Sequence, residues 1–125
     1  IEAGSGTFNL TFSGAFASNQ LVTIRYSKIG NMVTLWIPQK VSTSRSSNPG
    51  EQFYSTSTIP SSLIPDFNVN SYGRVRMRNG GAFSSTGSQA QIGQLGSITL
   101  DKNSTFLTSS SVGWGGFTVS YQTNN

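Results

Sequence analysis

Three arginines alternate with two apolar residues in the segment RVRMR. Alternate side chains of a β-strand point to opposite faces, so Arg74, Arg76 and Arg78 are predicted to share one face while Val75 and Met77 lie against the core. Three like charges on one face repel, and an anionic glycan, a phosphate or a carboxylate from a neighbouring subunit would offset them. The segment is therefore interpreted either as a solvated, edge-protecting stripe or as a face that contacts an anionic ligand or a neighbouring subunit.

Aromatic side chains beside polar segments are the second group of candidate ligand contacts. Trp36 lies opposite the apolar face of its predicted strand, which suits packing in a subunit interface or stacking on a sugar ring. Tyr54 and Tyr72 adjoin polar loops and are interpreted either as ligand contacts or as rims of the core. Trp114, which is flanked by glycines, is predicted to be a loop anchor packed under the last strand.

Residues for catalysis or metal binding are scarce. The chain has no histidine and no cysteine, which excludes an imidazole base, a Ser-His-Asp triad, a thiolate nucleophile and the usual structural zinc sites. A glycosidase needs two carboxyl groups at a fixed separation. Of the four acids, Glu2 lies in a predicted lead-in and Asp101 in a predicted turn, and Glu51 and Asp66 are interpreted as solvated loop acids. We therefore expect no enzyme activity, no cofactor and no divalent metal site.

The composition favours an extracellular or virion β-protein. Only 10% of the residues are charged, and Ser, Thr and Asn together supply more than a third of the chain. The net charge of +4 is dispersed apart from the arginine segment, and exposed aromatics are not interleaved with it, so nucleic acid is not an expected partner. No apolar run approaches the roughly 20 residues of a membrane helix. Without cysteine for disulfides, oligomerisation is the expected source of extra stability.

Period-two alternation of apolar and polar residues recurs along the chain, and no segment shows a helical period. The predicted strands include the segments FNLTF (8–12), VTIRY (22–26), MVTLWI (32–37), FYSTST (53–58), RVRMR (74–78), ITL (98–100) and FTVSY (117–121). Tight turns are predicted at 29–32 and 79–81, a hairpin turn at 101–104, and an exposed polar loop at 42–50.

This pattern predicts an all-β fold: an antiparallel, jelly-roll-like sandwich of two sheets with about eight to ten short strands. Residues 1–6 are interpreted as a flexible lead-in or the end of an upstream shaft. Residues 7–125 are interpreted as a single β-sandwich domain, because no internal repeat and no domain boundary is apparent.

Two early segments, GTFNLTFSG (6–14) and IRYSKIGNMVTL (24–35), resemble a pattern near the C-termini of phage and other viral fibre or tail proteins. The later segments IPSSLIP (59–65), GSITL (96–100) and GGFTVSY (115–121) are similar to a connection and to the last two strands of that family. The resemblance implies a β-sandwich at the end of an elongated, commonly trimeric virion protein. It carries no binding residues across, because such heads vary most in the loops that meet the host.

The resemblance implies a function in attachment. The expected role is a non-catalytic fibre or tail head on the virion surface that binds a host-surface glycan or protein receptor, as a homotrimer and without membrane insertion. If it is trimeric, Trp36→Ala is expected to weaken assembly more than Tyr72→Ala. Two alternatives remain open: a purely structural virion module, such as a capsid decoration or trimerisation domain, and a carbohydrate-binding module of a larger protein.

Overall fold

The computed structural model describes residues 3–72, 75–84, 88–102 and 104–123, which form twelve strands and a single 3-10 turn at Ser61–Leu63. The strands, in chain order, are β1 (Ala3–Gly14), β2 (Gln20–Ile29), β3 (Met32–Ile37), β4 (Lys40–Thr43), β5 (Gln52–Ser55), β6 (Val69–Tyr72), β7 (Met77–Asn79), β8 (Phe83–Ser84), β9 (Gln89–Ile92), β10 (Ile98–Asp101), β11 (Ser111–Trp114) and β12 (Phe117–Gln122).

The strands form two antiparallel sheets. The large sheet has the order β12-β3-β2-β1-β5-β10-β9-β6, and the small sheet has the order β4-β11-β7-β8. The prediction of an antiparallel two-sheet fold is confirmed, and several of its strands are only two to four residues long. Within the ranges given above, no helix is long and apolar enough to cross a membrane.

The first three strands form a continuous meander that supplies three of the eight strands of the large sheet. β1 pairs with β2 from Ala3 opposite Ile29 to Phe12 opposite Gln20. The predicted tight turn between β2 and β3 is confirmed, since Ile29 pairs with Met32 across it. Residues 3–6, expected to be a flexible lead-in, belong to β1 instead. This segment lacks large apolar side chains, but pairing in a ladder needs only the backbone N–H and C=O groups.

An aromatic cluster fills the space between the sheets, with Trp114 at its centre. The Trp114 ring lies 5.0 Å from that of Phe12, 5.8 Å from that of Phe16 and 5.3 Å from that of Phe53, measured between centroids. Its Nε1–H donates to the carbonyl oxygen of Pro38 at 2.9 Å. The prediction that Trp114 is a loop anchor was wrong, because this residue ends β11 and is fully buried in the core.

The neighbouring glycine explains why this strand looked like a loop. A Cβ at Gly113 would collide with the backbone carbonyl of Lys40, because β11 passes very close to β4. A glycine beside a tryptophan therefore marks close strand packing here and not a turn. Trp114 joins the small sheet to the large one through the aromatic cluster.

Two further loop predictions differ from the structure. In the segment 42–50, expected to be an exposed loop, the first two residues belong to β4 and Ser44 is buried. The Ser44 hydroxyl donates to the carbonyl oxygen of Leu107 at 2.6 Å, which explains how a polar residue tolerates this position. The segment 101–104, expected to be a hairpin turn, follows β10 of the large sheet on the way to β11 of the small sheet. Asn103 lies outside the described residues, and β10 and β11 belong to different sheets.

Candidate functional site

Arg76 and Arg78, together with Phe83, form a group that we call the arginine pair. Val75 and Met77 are 0% and 1% exposed, so their predicted burial is confirmed. The strand is shorter than expected, because β7 begins at Met77 and Arg76 lies before it. Arg74 lies outside the described residues, so the predicted triple stripe is seen for two of its three members.

The arginine pair is held by contacts within its own sheet. The guanidinium carbons of Arg76 and Arg78 lie 5.2 Å and 5.4 Å from the centroid of the Phe83 ring. The Nε–H of Arg78 also donates to the hydroxyl of Ser111 at 2.9 Å. Because an aromatic face attracts cations, Phe83 offsets part of the repulsion between the two charges. The side chains that sequence reasoning left uncompensated thus have an intramolecular partner.

Trp36 lies on the outward face of β3, in a row of residues that crosses four strands. Thr7, Arg25, Trp36 and Thr118 are direct neighbours in the ladder from β1 to β12. The guanidinium carbon of Arg25 lies 4.7 Å from the centroid of the Trp36 ring. Trp36 is half-buried and borders a hollow of about 410 Å³. This position is compatible with both roles proposed for it, a subunit contact and a sugar platform.

Tyr54 borders an open cleft at the edge of the segment 45–52, which we call the Tyr54 cleft. The cleft has a volume of about 370 Å³. Its walls are formed by Gly14, Arg45, Asn48, Pro49, Gly50, Glu51, Gln52 and Tyr54. Strand alternation exposes Gln52 and Tyr54 while Phe53 and Ser55 face the core. Sequence reasoning placed Tyr54 beside a polar loop, and the structure brings it together with Arg45, Asn48 and Gly14 in one cleft.

The backbone around the Tyr54 cleft is tied to neighbouring segments on both sides. The N–H of Arg45 donates to the carbonyl of Ala15 at 3.0 Å, and its carbonyl accepts from Ser109 at 3.0 Å. The carbonyls of Gly50 and Glu51 accept from the N–H groups of Phe106 and Lys102 at 2.9 Å and 3.0 Å. These bonds fix the positions from which the side chains of the cleft project.

Glu51 and Asp66 do not converge into a catalytic pair. Glu51 precedes β5, whereas the N–H of Asp66 donates to the carbonyl of Gln122 in β12 at 3.1 Å. These strands are four spacings apart in the large sheet, or about 19 Å along it. Asp66 is also not the solvated loop acid that we expected, since it is half-buried and its Oδ1 atom is buried without a described partner. No group of three or more metal-ligating side chains occurs among the described residues.

Two exposed apolar side chains were missed by sequence reasoning as surface features. Phe67 is 75% exposed and Leu95 is 85% exposed. Their loops are linked, because the amide Nε2 of Gln94 donates to the carbonyl of Asp66 at 2.7 Å and its backbone N–H donates to Asn68 Oδ1 at 3.0 Å. The sequence indicates this exposure only through a leucine within the turn-like segment GQLG.

Tyr72, the other candidate tyrosine, is the last residue of β6, and its side chain lies outside what the structure describes.

Comparison with known proteins gives a match in structure alone. No protein-family model and no curated protein matches the sequence. The reovirus attachment protein sigma1, solved in complex with α-2,3-sialyllactose, matches with a TM-score of 0.54 and 15% identity over 99% of this chain and 67% of that one.

The C-terminal receptor-binding domain of avian reovirus fibre sigmaC matches in two crystal forms. The zinc form has a TM-score of 0.60 and 14% identity over 98% of this chain and 76% of that one. The second, hexagonal form has a TM-score of 0.59 and 12% identity over 98% and 78%. The chain therefore has the fold of viral attachment-fibre heads, in agreement with its sequence resemblance to viral fibre proteins.

Proposed function

We propose that this chain is the head domain of a viral fibre, exposed on the virion surface, and that it attaches the virion to a host glycan or surface protein without catalysis. The observation that carries the proposal is the similarity of fold, over 98% or more of the chain, to the heads of reovirus fibres. The avian protein is a receptor-binding domain, and sigma1 was solved with a sialylated glycan.

The chemistry of the surface supports binding. Exposed or half-buried aromatic and cationic side chains occur together at the arginine pair, at Trp36 beside Arg25, and at the Tyr54 cleft. Such side chains are enriched at contacts with partners because they supply contact area together with hydrogen-bond donors. Glu51 and Asp66, the two acids weighed as a possible catalytic pair, lie about 19 Å apart along the large sheet.

The arginine pair, together with Arg74, is proposed to meet an anionic part of the receptor. The two described guanidinium groups both lie within 5.4 Å of the centroid of the Phe83 ring, which gathers positive charge around one aromatic side chain. Such a contact would be weakened by salt, since exposed charges are screened over about 8 Å at physiological ionic strength.

A triple variant tests this role. Changing Arg74, Arg76 and Arg78 to Ser should retain the fold, because the buried neighbours Val75 and Met77 are unchanged. Binding of the variant to glycan arrays and to cells should be weaker than that of the wild type at low salt and should converge with it at high salt. Equal binding at every salt concentration would exclude the arginine pair as a receptor contact. A wild-type domain that binds neither glycans nor cells would favour the purely structural alternative.

We also propose that the head is a homotrimer. Large exposed apolar side chains such as Phe67 and Leu95 are rarely left uncovered together, and they add to Trp36 as candidate subunit contacts. Sedimentation at micromolar concentration should give a species of about 40 kDa, three times the chain mass of 13.3 kDa. A species of monomer mass would overturn this proposal, and Trp36→Ala should lower the trimer fraction more than Tyr72→Ala does.

A further inference from the structure

The Tyr54 cleft presents polar side chains that are not used inside the protein. Arg45, Asn48, Glu51 and Tyr54 make no side-chain hydrogen bond or ion pair to any described residue, although all four line the same hollow. Gln52 is partly engaged, since its Nε2 donates to Asp101 Oδ2 at 3.0 Å. This bond orients the amide and leaves its carbonyl oxygen as an acceptor. The cleft therefore offers donors and acceptors to a partner from outside the chain.

The segment that carries most of these groups is fixed at both ends. Its ends, at Arg45 and Glu51, are bonded to Ala15, Ser109 and Lys102 as described above. Backbone that is held in place before a ligand arrives lowers the cost of ordering it on association. The cleft is thus suited to a ligand with few strong contacts.

Gly14 allows the two strands that border the cleft, β1 and β5, to lie very close together. Its backbone has a φ of 102°, and a Cβ at this position would collide with the carbonyl oxygen of Gln52. β1 and β5 can approach this closely only because Gly14 has no side chain. The approach places Gln52 and Tyr54 beside the loop residues Arg45 and Asn48.

The mixture of groups matches the chemistry of a sugar. Each sugar hydroxyl both donates and accepts, so a sugar site needs carboxylate and amide oxygens as well as N–H donors. The C–H face of a sugar ring packs on an aromatic ring, and Tyr54 is 42% exposed beside these groups. The volume of about 370 Å³ is near the lower limit of ligand sites, which suits the end of a glycan.

The charge of the cleft selects among sugars. It contains one cation, Arg45, and one anion, Glu51, and the two are not ion-paired. A carboxylated sugar attracted by Arg45 would be repelled by Glu51, whereas hydroxyl groups can bond to both. We infer that the Tyr54 cleft binds the terminal residue of a neutral glycan, a hexose or an N-acetylhexosamine. This inference rests on the proposed attachment function and gives the arginine pair a different, anionic ligand.

The test uses a glycan array that carries neutral oligosaccharides and the sialylated forms of the same oligosaccharides. The domain is displayed multivalently, and wild type is compared with Tyr54→Ala, Glu51→Gln and the control Ile29→Ala. Ile29 is a large side chain, 59% exposed, in the β2–β3 hairpin outside the cleft. Urea unfolding checks that every variant is folded.

We expect the wild type to bind at least one neutral glycan, in a manner that changes little with salt. Tyr54→Ala and Glu51→Gln should each weaken this binding by about tenfold or more, and Ile29→Ala should leave it unchanged. Glu51→Gln separates the charge from the shape of the side chain, because it keeps the size of the acid.

Three outcomes would overturn the inference, and they are distinguishable from failure of the proposed function. Binding of anionic glycans alone, sensitive to salt and to changes in the arginine pair, would leave the attachment function standing without this cleft. Binding of neutral glycans that is unchanged in both Tyr54→Ala and Glu51→Gln would also leave the attachment function standing without this cleft. Absence of binding to every glycan and to cells would remove both proposals.

Discussion

The arginine pair and the Tyr54 cleft contain similar side chains, but they differ in how far those side chains are satisfied within the protein. Arg78 stacks on Phe83 and donates to Ser111, whereas the Arg45 side chain has no described partner. Arg74, Arg76 and Arg78 stand out in the sequence, because they alternate with apolar residues within five positions. The cleft is assembled from segments about 30 residues apart. The charge of the arginine pair is thus partly satisfied within the protein, whereas the polar groups of the cleft remain available to an outside partner.

The largest expected change in stability comes from one of the two glycines of the cleft that have a positive φ, Gly14 and Gly50. Gly14→Ala forces a Cβ against the carbonyl of Gln52 as well as an unfavourable φ, so we expect a loss of about 2–5 kcal/mol in the free energy of unfolding. Gly50→Ala has a φ of 76° but open space around the new Cβ, so the expected loss is only about 1–2 kcal/mol. Urea denaturation measures both. Equal losses would show that the contact between β1 and β5 is not a tight one.

Tyr121 in the core and Tyr54 in the cleft also differ in whether the side chain has a hydrogen-bond partner within the protein. The hydroxyl of Tyr121, a residue only 6% exposed, donates to the carbonyl of Leu63 at 2.6 Å. Tyr121→Phe should lower the free energy of unfolding by about 1–3 kcal/mol, because the carbonyl loses its buried donor. Tyr54→Phe removes an exposed hydroxyl without a described partner and should change stability by less than about 0.5 kcal/mol. Urea denaturation of both variants measures the two losses, and equal values would contradict a buried bond at Tyr121.

The pH dependence of the free energy of unfolding provides a second measure of the burial of Tyr121. Burial raises the pKa of the Tyr121 hydroxyl well above its ordinary value of 10.0. Above pH 10 the unfolded chain therefore releases a proton that the folded chain keeps, and the stability due to this group falls as the pH rises. Unfolding measured from about pH 9 to 11 should show a steeper fall for the wild type than for Tyr121→Phe. Parallel curves would contradict the assignment to Tyr121.

The smallest effect compares one arginine from each region. Arg78→Ser removes a hydrogen bond and a ring contact, so we expect a loss of about 1 kcal/mol, while Arg45→Ser should change stability by less than about 0.5 kcal/mol. For binding of a neutral glycan, Arg45→Ser should cause the larger loss and Arg78→Ser the smaller one, because the proposed glycan site contains Arg45. Thermal unfolding and the glycan array measure the two quantities on the same variants. If Arg45→Ser lowers the stability of the fold as much as Arg78→Ser does, Arg45 has a structural partner. The proposed difference between the cleft and the arginine pair would then be wrong.

Local pattern in the sequence was sufficient for much of the fold. The alternation in the segment 32–37 predicted the strand β3, and the turn at Gly30 and Asn31 predicted the β2–β3 hairpin. These features depend on strand geometry and on neighbouring residues, so they are visible without knowledge of the rest of the chain. The candidate contact Tyr54 could be chosen from its neighbourhood in the same way, because it adjoins a polar loop.

Only the tertiary structure decided which of these segments meet. The contact of Gly14 with Gln52, the closure of Arg45 against Ala15 and the burial of Trp114 all join parts of the chain that are distant in sequence. Polar, glycine-containing segments read alike whether they form a hairpin, cross between sheets or pack against another strand. Strand pairing distinguishes these cases, and it depends on backbone N–H and C=O groups, which all residues other than proline carry. The Tyr54 cleft therefore became visible only when β1, β5 and the segment 45–51 were placed side by side.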